Sequence, residues 1–177
     1  MIQYQQPDWN KEAAESGVVV STHKKVVIQR FDREPLKGFV NPQSYLRPAG
    51  LELLSASGVL VEVPYEEVKA VCFVRDFEAG EPADRRTFSS RPKTDGLWVR
   101  MRLRDGEVMD GLLPNNLAMW EYQGYTFVPP NPSSSNQRVF VPRTAVTEVQ
   151  ILAVVGSPLR ARQPRVRPKP EQMGLFE

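Results

Sequence analysis

Two stretches of the chain share one skeleton: Val61 to Val71 and Val139 to Val149 both read Val-x-Val-Pro-x-x-x-Val-x-x-Val. A chain that writes one unit twice has few ways to fold. In each copy the alternation of Val61 with Val63, or of Val139 with Val141, puts apolar side chains on one face of a strand. Glu62 or Phe140 then points to the other face, so each strand is expected to be half-buried. Pro64 and Pro142 lack a backbone donor and mark strand ends. The three residues after each proline fit one tight turn. Val68, Val71 and Phe73, and correspondingly Val146, Val149 and Ile151, return apolar groups to the core on a further strand.

The fronts of the units pair as well. Val99, Met101 and Leu103 alternate with Arg100, Arg102 and Arg104 ahead of Asp105-Gly106, and a second run closes at Gly111. Asp-Gly between alternating segments signals a hairpin, read here as a type I′ turn with positive φ at both central residues. In the first unit Val26, Val27, Ile28 and Phe31 lead to Asp32-Arg33, and the next run closes at Gly38. Asp32 to Asp105 and Gly38 to Gly111 are shifts of 73, whereas Val61 to Val139 is a shift of 78, so the second unit holds five extra residues. They are assigned to the loop from Pro130 to Gln137. The expected fold is all-β: two tandem small barrels related by the repeat, over 24–74 and 97–155. A connector over 75–96 joins them, with Phe77 and Phe88 pinning it to a barrel. A polar lead over 1–23, with a short helix near Asn10 to Ser16, precedes them, and a basic, proline-rich tail over 156–177 follows. Whether the two barrels share one core is left open.

A composition 41% hydrophobic and 25% charged is ordinary for a soluble globular protein. No run of about 18 apolar residues is present to span a bilayer, and Met1 to Asp8 lacks the basic and apolar blocks of a secretory signal. The single cysteine, Cys72, cannot form an intramolecular disulfide, which suits a cytoplasmic location. Val71, Phe73 and Val74 around it indicate a buried thiol rather than a nucleophile. The lone His23 lies in the polar lead, so nucleophilic triads and zinc sites lack material. No glycine-rich phosphate cradle occurs, and Glu66 with Glu67 sit in a turn where solvated acids are expected. The chain is therefore read as non-enzymatic, with no metal and no cofactor.

Binding residues fall into two groups. Arg100, Arg102 and Arg104 share one strand face, and with Arg138 and Arg143 they form a candidate basic patch for nucleic acid, against the plainer reading of a solvated face. Trp98, Trp120, Tyr122 and Tyr125 either stack on single strands or fill a barrel core or the interface between the two barrels. From Ala153 onward five basic residues, Arg160, Arg162, Arg165, Arg167 and Lys169, stand against two acidic ones, so the surplus positive charge belongs to the tail. Mobile cations of this kind attract phosphates or merely keep a tail soluble.

Two resemblances refine the expectation. From Lys25 to Leu152 the units resemble Sm-like or SH3-like small barrels. Gly-Leu-Trp-Val, Pro-Asn-Asn-Leu, Asn-Gln-Arg-Val-Phe-Val-Pro-Arg and Val-Val-Gly-Ser-Pro look like an uncharacterised bacterial family with no assigned activity. Asp105-Gly106 and Gly111 are similar to the first Sm motif. Asn115 to Trp120 stands where that family's RNA-contacting residues would lie, and Pro142-Arg143 replaces its Arg-Gly. At the C-terminus Gln172, Met173, Leu175 and Phe176 resemble the bacterial sliding-clamp-binding peptide. The resemblance implies that Gln172 hydrogen-bonds beside a pocket, Met173 fills the aliphatic position, and Leu175 with Phe176 enters an apolar groove on the clamp. Three readings follow: an adaptor whose tail recruits a partner such as the clamp, in replication or repair; an Sm-like RNA-binding regulator; and a protein-interaction scaffold without nucleic acid. Single-stranded nucleic acid and further copies of the chain are compatible partners; a membrane is not expected to be one.

Overall fold

The computed structural model describes residues 22–77, 86–130 and 136–156. The expected helix near Asn10 to Ser16, part of the connector, the centre of the proline-rich loop and the tail lie outside the described residues. Ten strands occur among the described residues: β1 (Lys24–Arg30), β2 (Leu36–Val40), β3 (Gly50–Ser55), β4 (Leu60–Pro64), β5 (Val68–Val74), β6 (Gly96–Leu103), β7 (Val108–Leu113), β8 (Gly124–Phe127), β9 (Asn136–Pro142) and β10 (Val146–Val155). Single 3₁₀ turns occur at Leu117–Met119 and Arg143–Ala145. Among the described residues no helix is long and apolar enough to cross a membrane.

The strands form a seven-stranded sheet, β4-β3-β2-β1-β5-β9-β8, and a three-stranded sheet, β10-β6-β7. A bridge between Leu112 and Val128 links β7 to the end of β8, so the chain forms one antiparallel ribbon with β4 at one end and β10 at the other. One five-strand order is used twice, and the registers agree residue by residue. Val26 faces Gly38 and Phe73; Val99 faces Gly111 and Ile151, offset by 73 and 78. The third strands add a detail the sequence reading missed. Leu51 faces Val63 and Tyr125 faces Val141, an offset of 74 in β3 and β8. One of the five extra residues therefore precedes β8 and four lie between β8 and β9, rather than all in the later loop. Gly50 and Gly124 are thereby equivalent. A Cβ on either would run into the carbonyl oxygen of the valine across the ladder, Val63 or Val141, which explains a glycine in both copies.

Neither unit closes into a barrel of its own. The free edge of β5 is taken by β9: Val71 lies opposite Phe140, Cys72 opposite Val139 and Phe73 opposite Arg138. This pair is buried on both faces. β5 sends Val68 and Val71 into a core with Val26, Ile28, Leu51, Leu53 and Val63, and sends Ala70 and Cys72 into a second core with Val99, Met101, Leu103 and Phe127. β9 does the same in reverse. Val139 and Val141 enter the second core, while Phe140 crosses into the first and meets Tyr45 edge-on at 6.0 Å. The expectation of a half-buried β9 is corrected here: Phe140 is fully buried because a strand from the other unit covers its face. Glu62, its counterpart on β4, has no such neighbour and is exposed.

The β6–β7 turn also differs from expectation. Gly106 alone has positive φ, at 84°; its N–H donates to the Leu103 carbonyl at 2.9 Å, and the Leu103 N–H donates to the Glu107 carbonyl at 2.8 Å. That is a three-residue turn ending in a left-handed glycine, not type I′. The Asp105 carboxylate accepts from the Glu107 N–H at 3.1 Å, which holds the turn without positive φ at Asp105.

The shared wall predicts unequal costs at equivalent positions. Phe140→Ala should lower unfolding stability by about 3–5 kcal/mol, whereas Glu62→Ala should change it by no more than about 0.5 kcal/mol. Urea denaturation of dilute protein measures both.

Candidate functional site

The arginines expected to form a nucleic-acid face lie in separate settings. Arg100 points outward from β6, yet its guanidinium grips Asp110 of β7 at 2.8 and 3.1 Å, and that carboxylate raises the arginine above its ordinary pKa. Asp110 is fully buried because the connector lies over it. The Asp110 N–H donates to the Arg86 carbonyl at 2.6 Å, the Phe88 N–H donates to its carboxylate at 3.3 Å, and Phe88 packs edge-on to Trp98 at 5.7 Å. Arg102 pairs with Glu148 of β10 at 3.4 Å, an exposed contact that adds little stability but offsets its charge. Arg104 stacks on Phe31 at 3.8 Å. Arg138 belongs to the other sheet, exposed opposite Phe73. Arg143 follows β9 and is engaged with tyrosines, described next. Arg160, Arg162, Arg165, Arg167 and Lys169, and the terminal Gln172, Met173, Leu175 and Phe176, lie outside the described residues.

The structure gathers a different group, in the loop over 114–123. Asn116 starts its 3₁₀ turn by accepting from the Ala118 N–H at 3.1 Å. The Trp120 indole N–H donates to the Pro114 carbonyl at 3.0 Å, and the ring meets Tyr125 edge-on at 6.2 Å. Arg143 then clamps the loop from below. Its Nε donates to the Tyr122 carbonyl at 2.7 Å, an Nη donates to the Tyr125 hydroxyl at 3.0 Å, and the guanidinium lies over the Tyr125 ring at 4.8 Å. The backbone N–H of Arg143 adds a bond to the Gln123 carbonyl at 2.9 Å. On this braced loop Leu117, Met119 and Tyr122 are 74%, 65% and 88% exposed. Of the four aromatics considered for stacking, Trp98, Trp120 and Tyr125 are half-buried and Tyr122 alone is open to solvent. The signal was legible in part: a polar loop rarely needs a leucine, a methionine, a tryptophan and a tyrosine within six residues unless something packs on them.

Catalytic material is sparse in the described part. No group of three or more His, Cys, Asp or Glu is placed to hold a metal among the described residues. Cys72 is buried between Val71 and Phe73, and desolvation pushes its thiol up to about 12. A raised thiol pKa leaves almost no thiolate at pH 8, so a disulfide reagent should react with native protein roughly a thousandfold more slowly than with the unfolded chain. Absorbance of the released thiolate, with and without denaturant, checks this; equal rates would contradict the buried setting.

No curated protein and no solved structure matches the chain. A family model does, over residues 22–153, the span from the start of the first unit almost to the end of β10. The chain therefore belongs to a family of unknown function (DUF6982).

Proposed function

We propose that the protein is a non-enzymatic adaptor that engages one partner through the braced loop over 114–123 and a second through its C-terminal peptide, with the bacterial sliding clamp as the candidate for the second. The loop carries the reading. Three apolar side chains held in solvent by a cap, an indole bond and an arginine clamp lose little further entropy when a partner covers them. Interface anchors have this character: large, rigid and clustered. Their backbone is fixed by groups whose bonds are already made, so the loop meets a groove without refolding. The tail's Gln172, Met173, Leu175 and Phe176 supply the peptide half of the reading by resemblance to the clamp-binding pattern.

Nucleic-acid binding by the strands is the weaker alternative. Arg100 and Arg102, two of its five folded-part residues, face carboxylates across the sheet at 2.8 and 3.4 Å, and a phosphate would have to displace them. An adaptor without nucleic acid fits the paired charges better, and the tail's own cations are the remaining source of attraction to phosphates.

Two independent surfaces predict separable losses. Sliding clamp titrated with fluorescently labelled full-length protein should bind, Phe176→Ala should weaken binding by about tenfold or more, and the double variant Leu117→Ser with Tyr122→Ser should leave it within about twofold. Absence of clamp binding by the parent removes the tail half of the proposal. Equal losses from both variants would mean one surface rather than two.

A further inference from the structure

Among the described residues the ribbon ends in two edges without a strand partner, and the chain already contains the junction that would join them. Within the molecule β9, the fourth strand of the second unit, pairs with β5, the fifth strand of the first. Their repeat counterparts are β4 and β10. Among the described residues those two strands are the free ends of the ribbon, each laddered to another strand on one side only, to β3 and to β6; on β10 the Val154 carbonyl also accepts from Arg91 at 3.1 Å, beyond residues 149–151. A second copy placed with its β10 against β4 would repeat between molecules the pairing that exists inside one.

Backbone polarity and side chains both fit this arrangement. The Ser55 N–H donates to the Val59 carbonyl at 2.8 Å, which sets the alternation along β3–β4, so the N–H and C=O groups of Leu60 and Glu62 point away from β3. The Leu103 to Glu107 bond sets β6 in the same way. Arg100 and Arg102 then direct their backbone groups to Gln150 and Glu148, leaving those of Val149 and Ile151 pointing away from β6. Carrying the β5–β9 register across by the repeat puts Ile151 opposite Leu60, Gln150 opposite Val61 and Val149 opposite Glu62. Each outward-facing backbone thus meets another. Leu60 and Ile151, 64% and 58% exposed and among the most exposed apolar groups on the two edges, fall directly on each other. Exposed apolar edge strands are templates for pairing with another chain.

We infer that the protein self-associates head to tail, β10 of one copy adding to β4 of the next in the register of the internal β5–β9 junction. The link is weaker than its internal model. Glu62 stands where Phe140 anchors the internal junction, and Glu148 and Gln150 stand where Ala70 and Cys72 do, so no side chain of Phe140's size crosses into the neighbouring core. Assembly is consequently reversible and concentration-dependent. Because the two surfaces differ, the contact is heterologous, and its geometry gives a ring if the rotation closes and an open chain if it does not.

Disulfide trapping of the full-length protein tests both the contact and its register. Val61 and Gln150 form a non-hydrogen-bonded pair in the inferred junction, where side chains approach closest. The double variant Val61→Cys with Gln150→Cys should form covalent multimers in a glutathione redox buffer, while Val61→Cys with Glu148→Cys should form at least about tenfold fewer. The buried Cys72 thiol does not take part. Sedimentation of the parent should show mass rising with concentration over roughly 10–500 µM, and Leu60→Asp or Ile151→Asp should hold the protein monomeric over that range. A parent that stays monomeric, equal trapping in both registers, or self-linking by either single cysteine variant alone would overturn the inference. None of these outcomes bears on loop 114–123 or on clamp binding, so this association and the adaptor reading stand or fall separately.

Discussion

The pairing of β5 with β9 is the contact on which the rest of the molecule depends. A unit of about 50 residues buries too little surface to be secure alone. Two such units laid side by side would each keep an open edge at the middle. Joining those edges satisfies both rows of backbone groups and gives each strand a second apolar face to bury. That is why Ala70 to Val74 and Val139 to Val141 read as nearly unbroken apolar runs, where a strand with one wet face would alternate. Polar contacts reinforce the same boundary. Lys69 of β5 bridges Asp105 and Glu107 at 2.5 Å each, and the Thr144 hydroxyl donates to the Tyr65 carbonyl at 3.1 Å.

Much of the architecture was legible because the duplication was. Proline punctuation, valine alternation and the glycines at 38 and 111 mark four strands in each unit; the third, β3 or β8, carried no such mark. What could not be read was the coupling between units. Whether the second face of a strand is wet depends on a neighbour that the strand's own residues do not name. The contrast of Phe140 with Glu62, at one position of the repeat, was the local clue that one copy is covered and the other is not. The turn at Asp105-Gly106 shows a similar limit: the dipeptide predicts a hairpin, but whether Leu103 pairs with Glu107 or with a closer residue decides the turn type.

The candidate site was legible only in fragments. Alternation placed Arg100, Arg102 and Arg104 on the outward side of β6. Alternation says nothing of what lies across the ladder, and the acids Asp110 and Glu148 became partners only once the β6–β7 and β6–β10 registers were set. The loop over 114–123 was passed over for the opposite reason. Its aromatic and aliphatic residues suited a core, and their exposure follows from bonds made by Asn116, Trp120 and Arg143 that composition cannot reveal.

One consequence of the swapped phenylalanine concerns synthesis. The first core is closed by a ring that arrives 69 residues after the valine it faces, since Val71 pairs with Phe140. During translation the early strands emerge, collapse and wait with a vacant socket and a bare flank until β9 has left the ribosome. Pairing across such a span is slow to form and leaves apolar surface uncovered meanwhile. The core of the amino-terminal unit is thus complete only once β9 has docked against β5.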